Sequence, residues 1–147
     1  MKRIRIDSLK CSGCHLCELI CSYWHGGSFN PSQARLHIEV NRVIGLETDA
    51  RDIDVPHLCH QCEPAPCSEA CPVDAFTLNK KLNVFKIDSE ICIGCGACAE
   101  ACPYGMIVID PEDDNTAHKC DLCGGEPQCV LACPCNALTF ESIITVN

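Results

Sequence analysis

The run Cys92-Ile-Gly-Cys95-Gly-Ala-Cys98-Ala-Glu-Ala-Cys102-Pro103 has the spacing C-x2-C-x2-C-x3-C-P, at which thiolates hold four-iron cubanes. Three thiolates two residues apart lie on one tight loop, and Gly94 and Gly96 let the backbone bend around the irons. The fourth cysteine lies about one helical turn further along. Where two such runs face each other, that cysteine binds the other cubane. Pro103 is expected to end the helix.

The same pattern occurs four times in the 147 residues. Each quartet of cysteines ends in C-x3-C, and every quartet but the first is followed by proline. Sixteen of the seventeen cysteines belong to a quartet, which leaves only Cys135. The quartets are Cys11, Cys14, Cys17 and Cys21; Cys59, Cys62, Cys67 and Cys71; Cys92, Cys95, Cys98 and Cys102; and Cys120, Cys123, Cys129 and Cys133.

The composition predicts a thin hydrocarbon core. Aromatic residues are only 5% of the chain, and the apolar fraction of 47% includes the 17 cysteines. That cysteine share exceeds the roughly 8–10% that marks a cysteine scaffold. We therefore expect iron–sulfur cubanes to fill volume and crosslink loops, so that the chain without metal does not fold.

Charge and hydropathy exclude several functions. The formal charge is −9 and there is no basic stripe, which disfavours binding to nucleic acid and favours a partner with a basic docking surface. The start Met-Lys-Arg-Ile-Arg-Ile-Asp lacks the apolar region of a Sec signal. No apolar run approaches the ~20 residues of a membrane span. The expected location is the cytoplasm, where thiols stay reduced.

Residue patterns predict an α+β fold of short elements. Alternation indicates strands at residues 2–6, 35–40 and 106–109 and a hairpin of 75–78 with 84–87. A helix is expected to continue past Cys21 through Tyr23 and Trp24. Residues 22–58 form the longest stretch without cysteine, and the acidic segment 45–54 is expected to be a surface loop. This stretch is expected to cover one end of the cluster array and to contact a partner; the alternative is a loop that merely covers a cluster.

The cysteines could have roles other than binding iron, and several histidines lie beside them. Zinc also binds C-x2-C pairs, but the triplets suit cubanes better, and disulfides are disfavoured without an export signal. Cys135 is expected to be a small buried residue. We expect the histidines beside cysteines to tune potentials through hydrogen bonds and not to bind metal; these are His15, His57, His60 and His118. Trp24 and His25 are expected to serve packing or an interface.

The quartets together resemble the four-cluster ferredoxin-like subunits of molybdenum and tungsten oxidoreductases, such as those of dimethyl sulfoxide reductase, formate dehydrogenase and polysulfide reductase. The resemblance covers residues 4–141, and it is closest at Cys-His-Gln-Cys-Glu-Pro-Ala-Pro-Cys (59–67) and Lys-Cys-Asp-Leu-Cys (119–123). The stretch from Cys17 to Pro31 is similar to the small subunits that accompany tungsten aldehyde ferredoxin oxidoreductases, a family that includes the tungsten benzoyl-CoA reductases.

The resemblance implies four [4Fe-4S] clusters in one unit spanning residues 1–147, built as two interleaved bacterial-type two-cluster ferredoxin modules. Module A comprises 1–58 plus 117–147, and module B comprises 59–116. Each quartet lends its last cysteine to another quartet. The implied ligands are Cys11, Cys14, Cys17 and Cys133 for cluster 1; Cys59, Cys62, Cys67 and Cys102 for cluster 2; Cys92, Cys95, Cys98 and Cys71 for cluster 3; and Cys120, Cys123, Cys129 and Cys21 for cluster 4.

The implied function is the relay of single electrons to or from a tungsten or molybdenum pterin catalytic subunit, with a flavin or ferredoxin protein as a candidate second partner. No nucleophile–base pair, phosphate loop or dinucleotide motif indicates catalysis by this chain itself. The alternatives are a free-standing low-potential polyferredoxin carrier, or an electron-transfer subunit of a formate dehydrogenase, hydrogenase or benzoyl-CoA reductase. A metal-storage protein is a further rival from another class.

Overall fold

The computed structural model describes residues 2–40, 54–111 and 115–142, and in these ranges the chain is a mixed α/β protein of short elements. The helices are α1 (Leu16–Gly26), α2 (Pro66–Glu69), α3 (Ala97–Glu100) and α4 (Gln128–Ala132). The strands are β1 (Lys2–Ile6), β2 (Leu36–Val40), β3 (Asp54–Leu58), β4 (Phe76–Asn79), β5 (Val84–Ile87), β6 (Val108–Asp110), β7 (Thr116–His118) and β8 (Leu138–Ser142). Short 3-10 helices lie at Ser8–Lys10, Pro31–Gln33 and Leu122–Gly125.

The strands pair only in twos within the described residues. The antiparallel pairs are β1 with β8, β2 with β3, β4 with β5 and β6 with β7. The β1–β8 pair sets Ile4 opposite Phe140 and so joins the two ends of the described chain. The helices also pack in twos, α1 on α4 and α2 on α3. Each helix follows the first cysteines of a quartet, so these contacts bring quartet one to four and quartet two to three.

Local sequence explains where the elements end. The β4–β5 turn is closed by the Asn79 side chain, whose Oδ1 accepts N–H bonds from Lys81 and Leu82 at 3.1 and 3.3 Å. Helix α1 ends at Gly26 and is capped by Gly27, which has a φ of +72° and donates its N–H to Tyr23 O at 2.8 Å. Helix α3 ends at Glu100, before Pro103.

The predicted strands at 2–6 and 84–87 and the predicted run of α1 past Tyr23 and Trp24 are confirmed. The strands predicted at 35–40 and 75–78 are present but begin one residue later, at Leu36 and Phe76, and β6 begins at Val108 and not at residue 106. Strands β3 and β7 were not predicted, since Pro56 and the shortness of Thr116–His118 hide their alternation. The acidic loop falls almost wholly outside the described residues.

The core is divided into three small clusters instead of one. Leu36, Ile38, Leu58 and Leu138 form one with cysteine side chains, and Leu82, Val84 and Leu122 form another. The remaining cluster contains alanines, isoleucines and two cysteines. Five of the twenty buried apolar residues are cysteines. The thin hydrocarbon core expected from composition is therefore present, and its gaps lie where the thiols converge.

Candidate iron–sulfur sites

Three cavities gather the thiols of different quartets. In each, three cysteines of one quartet face the last cysteine of another. Thiol group 1 comprises Cys11, Cys14, Cys17 and Cys133. Thiol group 2 comprises Cys59, Cys62, Cys67 and Cys102, around a cavity of about 280 Å³. Thiol group 3 comprises Cys71, Cys92, Cys95 and Cys98.

The four quartet cysteines that remain are brought together by helices α1 and α4. They are called thiol group 4 and comprise Cys21, Cys120, Cys123 and Cys129. Cys21 comes from the middle of α1 and Cys129 from the first turn of α4. Burial raises the pKa of Cys129, and the nearby thiols of Cys120, Cys21 and Cys123 raise it further.

Most of these thiols are poor acids in the protein alone. Burial raises the pKa of Cys17 and of Cys120 to about 12 each. Buried thiolates side by side would repel one another, so the groups need bound positive charge to ionise. Backbone N–H groups already point at sulfur: Ala75 N lies 3.3 Å from Cys71 Sγ, and Met106 N lies 3.3 Å from Cys102 Sγ. Sets of four converging thiols with N–H donors fit iron–sulfur clusters.

The four thiol groups follow one another in a row. Group 1 adjoins group 4, where Cys17 acts electrostatically on Cys129. Group 4 adjoins group 2, where Cys59 acts on Cys120. Group 2 adjoins group 3, where Cys67 acts on Cys98. Groups 4 and 2 are therefore the inner pair, and groups 1 and 3 are the outer pair.

Cys135 is not the buried residue that the sequence suggested. It is partly exposed, and its Sγ lies 3.8 Å from Cys133 Sγ and 4.0 Å from Ser12 Oγ. It also lines the cavity of thiol group 1, which thus has five cysteines around it. Pro134 and Cys135 lie in a turn that is closed by the Asn136 N–H donating to Cys133 O at 3.4 Å, and this turn brings both thiols to the same cavity.

Two of the four histidines beside cysteines differ from the expectation. His15 Nδ1 bonds Glu18 Oε2 at 2.6 Å and His57 Nε2 bonds Glu39 Oε2 at 2.9 Å, so these rings face carboxylates and not sulfur. His60 stacks on Tyr104 with ring centroids 3.7 Å apart and lines the cavity of thiol group 2. For His60 and His118 the expectation stays a prediction. His25, which was not among the four, has its Nε2 3.7 Å from Cys123 Sγ.

His25 and its surroundings form a polar contact with thiol group 4. Its Nε2 lies 3.7 Å from Asp121 Oδ1, and Arg35 NH1 lies 3.4 Å from the same oxygen. Burial, followed by the positive charge of Arg35, lowers the pKa of His25 to about 4 in the protein alone. Arg35 also approaches thiol group 4 through its backbone, since its N–H donates to Cys21 Sγ at 3.4 Å, a contact that local sequence does not indicate because thirteen residues lie between the two.

A carboxylate lies over thiol group 1. A Cβ built on Gly13, whose φ is +63°, would lie 2.0 Å from Asp54 Oδ2, so only glycine leaves room for Asp54 here. Burial raises the pKa of Cys11, and Asp54 is among the groups that raise it further. No helix in the described ranges is both long and apolar enough to cross a bilayer.

The chain belongs to the 4Fe-4S dicluster domain family, whose model matches residues 52–143. A 4Fe-4S binding domain model matches residues 8–24 as well. The thiol groups therefore lie in a protein of the ferredoxin-like iron–sulfur class.

Particular relatives are redox subunits by name. The chain is 43% identical over 94 residues to the aliphatic sulfonate oxidoreductase polyferredoxin-like subunit of Pyrococcus furiosus, which covers 64% of this chain and 50% of that one. It is 35% identical over 89 residues to formate hydrogenlyase subunit 2 of Escherichia coli, covering 60% of this chain and 38% of that one. The match thus spans half or less of the length of these curated relatives.

Solved structures resemble the whole chain. One is a chain of the active site complex BamBC of benzoyl coenzyme A reductase with 1,5-dienoyl-CoA, 29% identical with a TM-score of 0.51, covering 100% of this chain and 80% of that one. The same complex with zinc gives 26% identity and a TM-score of 0.52, covering 100% and 82%.

Proposed function

We propose that this chain is a non-catalytic electron-transfer subunit that holds four [4Fe-4S] clusters, one in each thiol group. The observation that carries the proposal is the unbroken row of groups 1, 4, 2 and 3, each adjoining the next. When bound, a [4Fe-4S] cluster supplies one-electron redox chemistry. The protein holds the thiolates, donates N–H bonds to sulfur and limits access of water.

The proposed ligand sets are the four thiol groups themselves, so the last cysteine of each quartet serves another quartet. Support comes from the cavities, in which Cys133 faces group 1, Cys102 faces group 2 and Cys71 faces group 3. In this arrangement, groups 1 and 4 form module A and groups 2 and 3 form module B. The packing of α1 on α4 and of α2 on α3 supports the same division.

The proposed partner is a tungsten or molybdenum pterin catalytic subunit. Support comes from the resemblance at Cys17 to Pro31 and from the likeness, over the full chain, to the BamBC complex of benzoyl coenzyme A reductase. Because the chain carries a formal charge of −9, association with a basic docking surface should weaken as salt is raised.

The clusters are tested on protein isolated without oxygen from its native source. We expect about sixteen irons per chain, four for each cubane, and reduced protein should show several cluster signals by electron paramagnetic resonance (EPR). Serine substitutions at the second cysteine of each quartet should each alter a different signal; these are Cys14, Cys62, Cys95 and Cys123. Ser12→Ala is the matched control near group 1. Protein with one cluster or none would refute the proposal.

The partner is tested by mass spectrometry and metal analysis of whatever co-purifies with the tagged chain at low salt. A pterin-containing chain with stoichiometric tungsten or molybdenum is expected. A chain that purifies alone with its clusters at both low and high salt would instead establish a free-standing carrier.

A further inference from the structure

Lys119 is a buried ammonium group at the centre of the protein. Its residue is 4% exposed, and Nζ donates to Gln61 Oε1 at 3.0 Å, Phe85 O at 2.7 Å and Cys120 O at 3.0 Å. A neutral amine has only two N–H donors, so three acceptors around one nitrogen require the charged form. The positive charge is therefore fixed in place by the surrounding oxygens.

All three partners of this ammonium are neutral. Within the described ranges 2–40, 54–111 and 115–142, no carboxylate oxygen lies within 4.0 Å of Lys119 Nζ. A buried charge without a counterion is costly, and hydrogen bonds to amide oxygens offset only part of that cost. Something anionic in the assembled protein should therefore lie close to this nitrogen.

The nearby groups that can become anionic are thiols on both sides. Lys119 lines the cavity of thiol group 2. Phe85, whose carbonyl oxygen accepts from Nζ at 2.7 Å, lines the same cavity. On the other side Nζ donates to the carbonyl oxygen of Cys120, a member of thiol group 4, at 3.0 Å. The ammonium thus acts on thiol group 2 and on thiol group 4.

We infer that Lys119 is a fixed positive charge between the two inner clusters and that it raises their reduction potentials above those of the two outer clusters. This inference rests on the four-cluster function proposed above. Reduction takes one electron from a donor, dithionite in the assay or a redox protein in the cell, and converts [4Fe-4S]2+ to [4Fe-4S]+ without a proton or a broken bond. Because the added charge is negative, a neighbouring cation stabilises the reduced form.

With two inner clusters of higher potential, the row of clusters would favour neither direction of electron flow. Electrons entering from either end would pass an outer cluster and collect on the inner pair, where the same ammonium stabilises both. The inner pair would then hold up to two electrons for a partner that takes them one at a time. A purely structural lysine, one that only joins Gln61 to Cys120 O, would leave the potentials unchanged.

The first experiment is an EPR-monitored redox titration of Lys119→Gln in the intact, cluster-loaded protein. Two of the midpoint potentials should fall by about 59 mV or more, which corresponds to a tenfold change in the equilibrium constant of a one-electron reduction. Lys81→Gln removes the same charge from an exposed turn and should leave all four midpoints in place. Unchanged midpoints in Lys119→Gln would overturn the inference.

A second variant keeps the test decisive if Lys119→Gln does not assemble. Gln61→Glu has nearly the same shape and sets a carboxylate 3.0 Å from Lys119 Nζ, so it offsets the charge of the ammonium and keeps that contact, while it loses the N–H that Gln61 Nε2 donates to Cys120 O at 2.9 Å. The same two midpoints should fall. Protein that holds about sixteen irons with wild-type midpoints would overturn the inference.

The wild-type protein gives a test that needs no substitution. The first two electrons should enter adjacent clusters and give a magnetically coupled EPR spectrum. Two uncoupled signals at half reduction would place the electrons on clusters that do not adjoin each other, and therefore not on the inner pair, and would overturn the inference. Iron-free wild-type protein would instead refute the proposed function, so the two failures are distinguishable.

Discussion

Glu18 ties helix α1, which carries Cys17 and Cys21, to strand β2. Its side chain is 8% exposed, and its two oxygens are both used. Oε1 accepts the N–H of Ile38 at 2.7 Å, and Oε2 accepts from His15 Nδ1 at 2.6 Å. Glu18→Ala should therefore loosen the wall around thiol groups 1 and 4 and leave the Ile38 N–H buried without an acceptor.

The size of the effect follows from burial. Hydrogen bonds to charged groups are worth about 1.5–3 kcal/mol each, so losing two should cost about 3–6 kcal/mol in the free energy of unfolding. Glu39 provides a matched control, because it also bonds a histidine, His57 Nε2 at 2.9 Å, but its side chain is 58% exposed. Exposed pairs are worth about 0–1 kcal/mol. The two substitutions should thus differ by about 3 kcal/mol in the free energy of unfolding. If the bonds are already broken in the transition state for unfolding, this is roughly a hundredfold in the unfolding rate.

The assay is the rate at which visible cluster absorbance bleaches in guanidinium chloride without oxygen. Glu18→Ala should bleach roughly a hundredfold faster than the parent protein, and Glu39→Ala within about fivefold of it, since each 1.4 kcal/mol is tenfold. Iron content before denaturant confirms that both variants are loaded. Equal bleaching rates for the two variants would refute the argument that the buried carboxylate holds α1 to β2.

The remaining predictions concern metal, backbone and the odd cysteine. Iron chelation should abolish the native far-ultraviolet circular dichroism, because the hydrocarbon core alone is too thin; retained structure would contradict this. Gly13→Ala should lose iron, since the new Cβ would lie 2.0 Å from Asp54 Oδ2. Gly105→Ala is the matched control, because Gly105 has the same φ of +63° but open space around it, and this substitution should cost only about 1–2 kcal/mol in thermal stability. Cys133→Ser should keep about sixteen irons, because Cys135 Sγ lies 3.8 Å from the replaced sulfur; Cys133→Ser combined with Cys135→Ser should lose iron, and equal losses would contradict the substitution of one thiol by the other.

The spacing of the quartets made the position of the thiols predictable, because a metal site constrains sequence more tightly than a hydrocarbon core does. Short strands such as Val84–Ile87 could also be predicted, because their residues alternate and because the turn at Asn79 is determined by its own residues. Strand β7 was not, because three residues carry too little pattern. Its pairing with β6 is decided by contacts across the chain and not by its own sequence.

Side chains that act on a site from elsewhere in the chain could not be predicted. In the sequence, Lys119 is an ordinary charged residue beside a cysteine. Its burial depends on Gln61 and Phe85, which are distant in sequence and contact its Nζ only in the folded chain. His25 likewise reaches Cys123 across 98 residues of sequence. Sequence proximity to a cysteine does not place a histidine ring beside the thiol, as His15 shows by bonding Glu18.

In the proposed ligation, the exchange of last cysteines between quartets would let so small a core suffice. No quartet encloses its own cavity: Cys102 completes the wall around Cys59, and Cys133 completes the wall around Cys11. In the proposed ligation each cluster therefore closes a loop between distant segments, and the entropy of loop closure grows only slowly with loop length. Metal binding would then stabilise the tertiary arrangement and not just a local turn. Loss of a cluster should for the same reason loosen two quartets at once, which couples the integrity of the electron path to the integrity of the fold.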